Sequence, residues 1–193
     1  IVNFTSYKDK ESIIIIICCY ISLIEAIEKL PIIEKINSIN QDFIDLKTLQ
    51  LNNEITEKKL SNKIQSIGKI NNLTSIDVQG QYEKNPYPIW IYNCSFKDKK
   101  FNNLEAVNNR TRNPNLFKKQ LPKRKLKILI AGRGTGQQVI LAQRYKNAQI
   151  IAIDISSKSL AYAQRKLDEY QIKNVTLIKM DILEIDILKE RFD

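Results

Sequence analysis

Apolar and polar positions along the 193-residue chain fall into two regimes. From Ile13 to Ile24 the chain is almost wholly apolar, interrupted by Cys18, Cys19 and Ser22, and Glu25, Glu28 and Lys29 then bring charge at helical spacing. This run is shorter than the roughly 20 residues that span a bilayer. Asp9 and Glu11 stand where an export signal carries positive charge. A buried helix is therefore expected, ended or kinked by Pro31. From Ile32 to Ile76, Phe43, Leu46 and Leu49, then Ile64 and Ile67, recur among Asn, Lys and Glu, which predicts two or three amphipathic helices.

The second regime begins at Lys127. An apolar run, Ile128-Leu129-Ile130-Ala131, meets a glycine-rich turn holding Gly132, Gly134, Thr135 and Gly136, and a helical pattern starts near Val139. Glycine suits such a turn because it tolerates φ > 0 and lets backbone amides approach a ligand. Two more apolar runs end in acids: Gln149 to Ile153 leads into Asp154, and Val175 to Met180 leads into Asp181. Runs of this kind read as buried parallel strands. Ligands of open α/β sheets bind at the carboxyl ends of such strands. Asp154 lies 18 residues beyond Gly136, close to the spacing at which an acid on the second strand holds ribose hydroxyls. Ser156 or Ser157 is expected to cap the following helix, with Leu160, Ala163, Leu167 and Tyr170 as its inward stripe.

Glycines and acids in this order resemble the front half of a class I S-adenosylmethionine-dependent methyltransferase. By that resemblance Gly132, Gly134, Thr135 and Gly136 bind the cofactor, the glycines lining its methionine and ribose part. Asp154 takes the ribose hydroxyls, Ile155 packs on the adenine face, and Asp181 with the Ile182 backbone reads the adenine edge. The family usually carries an acid two residues before the first glycine, where this chain has Ile130. A second stretch, Gln81-Tyr82-Glu83-Lys84-Asn85-Pro86-Tyr87-Pro88-Ile89-Trp90, resembles a leader found ahead of the cofactor domain in a group of bacterial methyltransferases. Prolines stiffen it, and it displays aromatic surface at low entropy cost. It is read either as a flap over the cofactor, with Tyr82 and Tyr87 facing the pocket, or as a packing strap.

The expected architecture is α/β. An incomplete Rossmann-like parallel sheet, with its first three strands in the order third, second, first, occupies residues 126–193. An α-helical region (1–78) and an aromatic and basic connector (79–125) precede it. The chain begins at Ile1 and stops at Phe192-Asp193 on what resembles the start of a fourth strand, so a piece of a longer protein is expected. Without that strand the edge of the first should expose apolar residues.

Charge and cysteine content change this picture little. Net charge is +10 at pH 7, which suits nucleic acid or acidic surfaces, but no nucleic-acid motif accompanies it and a lysine-rich solvated surface accounts for it equally. With 3 Cys, two of them adjacent, and no His, neither a disulfide framework nor a zinc spacing is present, and no metal site is expected. A reducing cytoplasm, without membrane insertion, is the expected setting. The expected activity is methyl transfer to an unidentified protein or small-molecule acceptor, this chain supplying the cofactor-binding half and no catalytic base being nameable. The rivals are a piece of an NAD(P)-dependent dehydrogenase, whose fingerprint wants glycine where Gln137 stands, and a non-catalytic Rossmann-like scaffold.

Overall fold

A computed structural model describes residues 7–92, 125–132, 134–145 and 148–192. Residues 93–124, which make up most of the expected aromatic and basic connector, fall outside these residues. The chain divides into two compact units, Ile1–Thr56 and Glu57–Asp193, a division earlier than the expected 78/79 boundary.

In the first unit the apolar run makes two helices instead of one. α1 (Tyr7–Cys18) stops, and Ser22 starts α2 (Leu23–Lys29) through a capping box in which the Ser22 hydroxyl accepts from Glu25 N–H and the Glu25 carboxylate accepts from Ser22 N–H. Two orphan amide donors of the helix start are thereby satisfied. The break leaves Ile15 and Ile16 exposed, while Ile14, Leu23, Ala26, Ile33, Phe43 and Leu51 form the core. A 3₁₀ turn (Pro31–Lys35) follows, then α3 (Gln41–Lys47) runs into a π-helical turn (Thr48–Asn52) and α4 (Asn53–Ser61). The wider π turn offsets the helical repeat, so Leu51 is buried and the expected Leu49 is not. Among the described residues no helix is long and apolar enough to cross a membrane.

In the second unit a parallel four-stranded sheet has the order β1-β4-β3-β2, with β1 Gln65–Ser66, β2 Lys127–Ala131, β3 Gln149–Asp154 and β4 Val175–Lys179. The expected order of the three main strands holds, and the sheet gains a strand from a segment read as helical. β1 is two exposed residues pairing with Ile178 and Lys179, too short to carry any alternation. Side chains of the main strands alternate between two faces. Ile130, Ile150, Ala152 and Leu177 pack with Val139, Ala142, Leu160, Ala163 and Leu167, which come from α6 (Gln137–Arg144) and α7 (Ser157–Glu169). Ile151, Ile153, Ile178 and Met180 pack on the other face with Ile67, Ile185 and Phe192. Among the described residues β2 is an edge strand, but none of its apolar residues is exposed. A sheet edge presents backbone donors and acceptors, whereas side chains stand perpendicular to the sheet and stay covered. Residues 189–192 form no strand, and Phe192 joins the second face of the core.

Candidate functional site

Register aligns the site. Ala131 pairs with Ile153, and Ile153 with Ile178. The chain leaves all three strands at one level, so Gly132, Asp154 and Asp181 emerge along a single edge. The ladder continues there, with Gly132 N–H donating to the Ile153 carbonyl (3.0 Å) and Met180 N–H to the Asp154 carbonyl (2.9 Å). A cavity of about 1090 Å³ opens at this edge, and Gly132, Gly134, Thr135, Gly136, Asp154, Ile155, Asp181, Ile182, Tyr82 and Tyr87 all line it. Every residue singled out from the sequence as cofactor-binding therefore borders one hollow.

Asp154 is held from two sides: Gly134 N–H donates to one carboxylate oxygen (3.0 Å) and Ser156 N–H to the other (2.9 Å). An ionised carboxylate offers about four acceptor positions, so acceptor capacity remains for ligand hydroxyls. Burial pushes the Asp154 carboxyl above the ordinary range; the amides of Ser156, Gly134 and Ile155 oppose the rise and the Glu83 charge adds to it. Asp181 is buried, and one of its oxygens accepts from Leu183 N–H (3.0 Å), capping the 3₁₀ turn Ile182–Leu188. Ile182 is exposed.

The glycines serve different ends. Gly132 has φ +72° and open space around an added Cβ, so its backbone conformation is what demands glycine. At Gly134 a Cβ would lie 2.7 Å from Ser159 Cβ and 3.0 Å from Asp154 Cγ. At Gly136 it would run into the Trp90 indole. Ile130 takes no part in the cavity: it is buried in the core against α6 and α7.

The leader is both strap and wall. α5 (Leu73–Lys84) carries Tyr82 and Glu83, and the Glu83 carboxylate accepts from Ser157 N–H (2.6 Å) and Lys158 N–H (3.2 Å) at the start of α7. Farther along α7, the Tyr162 hydroxyl is hydrogen-bonded to the Trp90 backbone, and Lys166 Nζ donates to the Ile91 carbonyl (2.7 Å). Trp90 stacks on Tyr170 and meets Tyr162 edge-on. Tyr82 and Tyr87 meanwhile line the cavity, as do Asn72, Thr74, Ser75 and Val78 from the beginning of α5. The sequence reading missed these four because a helix with polar cavity-lining residues has the pattern of an ordinary solvated surface helix. The leader resemblance pointed to Trp90 without giving it a partner.

Residues 128–193 match a family described as methyltransferase domain. They do so with the sheet order, register and glycine turn just described. The 128–193 segment is thus similar to a methyltransferase domain in both sequence and fold. Members of that family generally use S-adenosylmethionine. The release factor glutamine methyltransferase of Flavobacterium psychrophilum is 41% identical over 69 residues, which are 35% of this chain and 24% of that protein. The chain thus spans about a quarter of the length of this curated relative. The methyltransferase domain match begins at β2, so α5 and the leader lie outside it although they help to enclose the same cavity.

Proposed function

We propose that this chain binds S-adenosylmethionine in the cavity at the carboxyl edge of the sheet and is the cofactor-binding part of an enzyme that transfers its methyl group. The observation that carries this reading is Asp154: a half-buried carboxylate braced by the glycine turn through Gly134 N–H, with acceptor capacity left for ribose hydroxyls. The donor set fits the adenosyl half of the cofactor. Asp154 would hold the ribose, Ile155 the adenine face, and Asp181 with the Ile182 backbone the adenine edge. At about 1090 Å³ the cavity lies just above the roughly 300–1,000 Å³ usual for ligand sites, which leaves space beside a cofactor for an acceptor.

When bound, the cofactor supplies an activated methyl on a sulfonium, and the transfer is an in-line displacement. The chain's own residues orient and enclose. Tyr82 and Tyr87 line the cavity, and the sheet edge fixes the carboxylates. The acceptor, a protein or a small molecule, does not follow from the relative, because the similarity covers 24% of that protein.

Calorimetric titration with S-adenosylhomocysteine, S-adenosylmethionine and NAD tests the reading. Saturable binding of the two adenosyl compounds with no response to NAD is the expected result. NAD binding would favour a dehydrogenase, and silence to all three would leave a non-catalytic scaffold.

A further inference from the structure

Trp90 lies 45 residues before Thr135 in the sequence, yet its indole N–H donates to the Thr135 carbonyl in the middle of the glycine turn. The ring rests where a Gly136 Cβ would be, and both residues line the cavity. It is not loosely placed. Its backbone N–H donates to the Tyr162 hydroxyl (3.0 Å), its ring stacks on Tyr170 with centroids 6.2 Å apart, and Lys166 Nζ stands 5.1 Å from the ring centre. Lys166 is itself buried and anchors the next residue of the leader through the Ile91 carbonyl.

We propose that Trp90 is a positioning residue for the cofactor-binding turn, and that Gly136 lacks a side chain in order to seat the indole. This rests on the reading that the turn binds the adenosyl cofactor. It gives Gly136 a purpose different from making room for ligand. It also means that the turn is completed by a residue lying outside the methyltransferase domain match, so that segment alone carries an unbraced turn. The physical logic is that of a peptide carbonyl fixed by a donor on a clamped aromatic ring: the hydrogen bond sets the orientation of the Thr135–Gly136 peptide, and stacking removes the freedom of the donor.

A double-mutant cycle on the whole 193-residue chain decides it, using wild type, Gly136→Ala, Trp90→Ala and the double variant. Melting temperature and S-adenosylhomocysteine affinity are measured for each. Gly136→Ala alone should lower both, weakening binding tenfold or more. In the Trp90→Ala background the same change should cost little, because the space under the missing indole accepts a methyl group. Equal losses in the two backgrounds would overturn the proposal.

Trp90→Phe provides a test that avoids a large cavity. Keeping the ring and removing the N–H should weaken S-adenosylhomocysteine several-fold while the melting temperature changes little; unchanged affinity would reject a positioning role. Trp90 is the sole tryptophan of the chain, so its emission should respond saturably to the same ligand with the calorimetric Kd. Emission indifferent to bound ligand would also count against the role. Wild type that binds no S-adenosylhomocysteine would strike the proposed function itself, whereas wild-type binding with additive losses would strike only the assignment of Trp90.

Discussion

Gly134 donates its backbone N–H to the carboxylate of Asp154 across 20 residues of chain, at 3.0 Å, and leaves no room for a Cβ beside that carboxylate. The turn and the acid are thus one unit. Ser156 braces the acid from the other side and in turn caps α7, its hydroxyl accepting from Ser159 N–H at 3.1 Å.

Replacing Asp154 by Ala should weaken S-adenosylhomocysteine by about 1 to 3 kcal/mol, the cost of a lost charge-assisted hydrogen bond. Titration calorimetry at neutral pH measures it directly. Affinity equal to wild type would show that the ribose is held elsewhere.

Acid should weaken the same binding through the same group. Burial first, and then the Glu83 charge, raise the Asp154 carboxyl against the pull of its amide donors. Its protonation on acidification therefore begins at higher pH than for an ordinary carboxylate. The affinity of wild type is expected to fall as pH drops through that raised value, and Asp154→Asn should flatten the profile. For stability the sign is opposite. The folded state holds this proton more tightly than the unfolded chain, so the group's contribution is most favourable below the ordinary carboxylate range. It is lost as pH rises through the folded value. Melting curves of wild type and Asp154→Asn between those limits read the difference.

Alanine at the first two glycines should give unequal results for a stated reason. Gly134→Ala drives a methyl group into Ser159 and Asp154, an overpacking worth about 1 to 3 kcal/mol, and it should also abolish measurable cofactor binding by displacing the acid. Gly132→Ala meets open space and suffers only its positive φ, a cost of about 1 to 2 kcal/mol. Chemical denaturation and calorimetry together separate the two. Equal loss of affinity at both positions would contradict this geometry.

Glu83→Gln should loosen the leader. The carboxylate meets two amides at the start of α7, where a negative charge is worth about 0.3 to 1 kcal/mol and up to about 2 in partly buried settings. A lower melting temperature is expected, together with faster hydrogen exchange at Ser157 and Lys158. Because the Glu83 charge raises the Asp154 carboxyl, the acid limb of the binding profile should also move to lower pH. A limb that stays in place would uncouple the two carboxylates.

Much of the fold was legible because it depends on neighbours in sequence. Strand, turn and helix at 127–144 follow from an apolar run, glycines and a helical period, and the acids at 154 and 181 end runs too apolar to be anything but buried strands. Ser156 caps α7 as its position implied, and Leu160, Ala163 and Leu167 are buried in the core. The failures were of another kind. β1 is two residues whose conformation is imposed by pairing with Ile178 and Lys179, and the break before Ser22 hides inside a run that is apolar throughout.

By itself the sequence determined which segments become strands and helices and which residue types stand at the strand ends, since those follow from period, propensity and spacing. Only the tertiary structure decided that Trp90 closes on Gly136, that Glu83 meets α7, and that Ile130 belongs to the core instead of the cavity. The reason is that such contacts join positions tens of residues apart, and no local pattern records which side chain will fill a space until the sheet has set the elements in register.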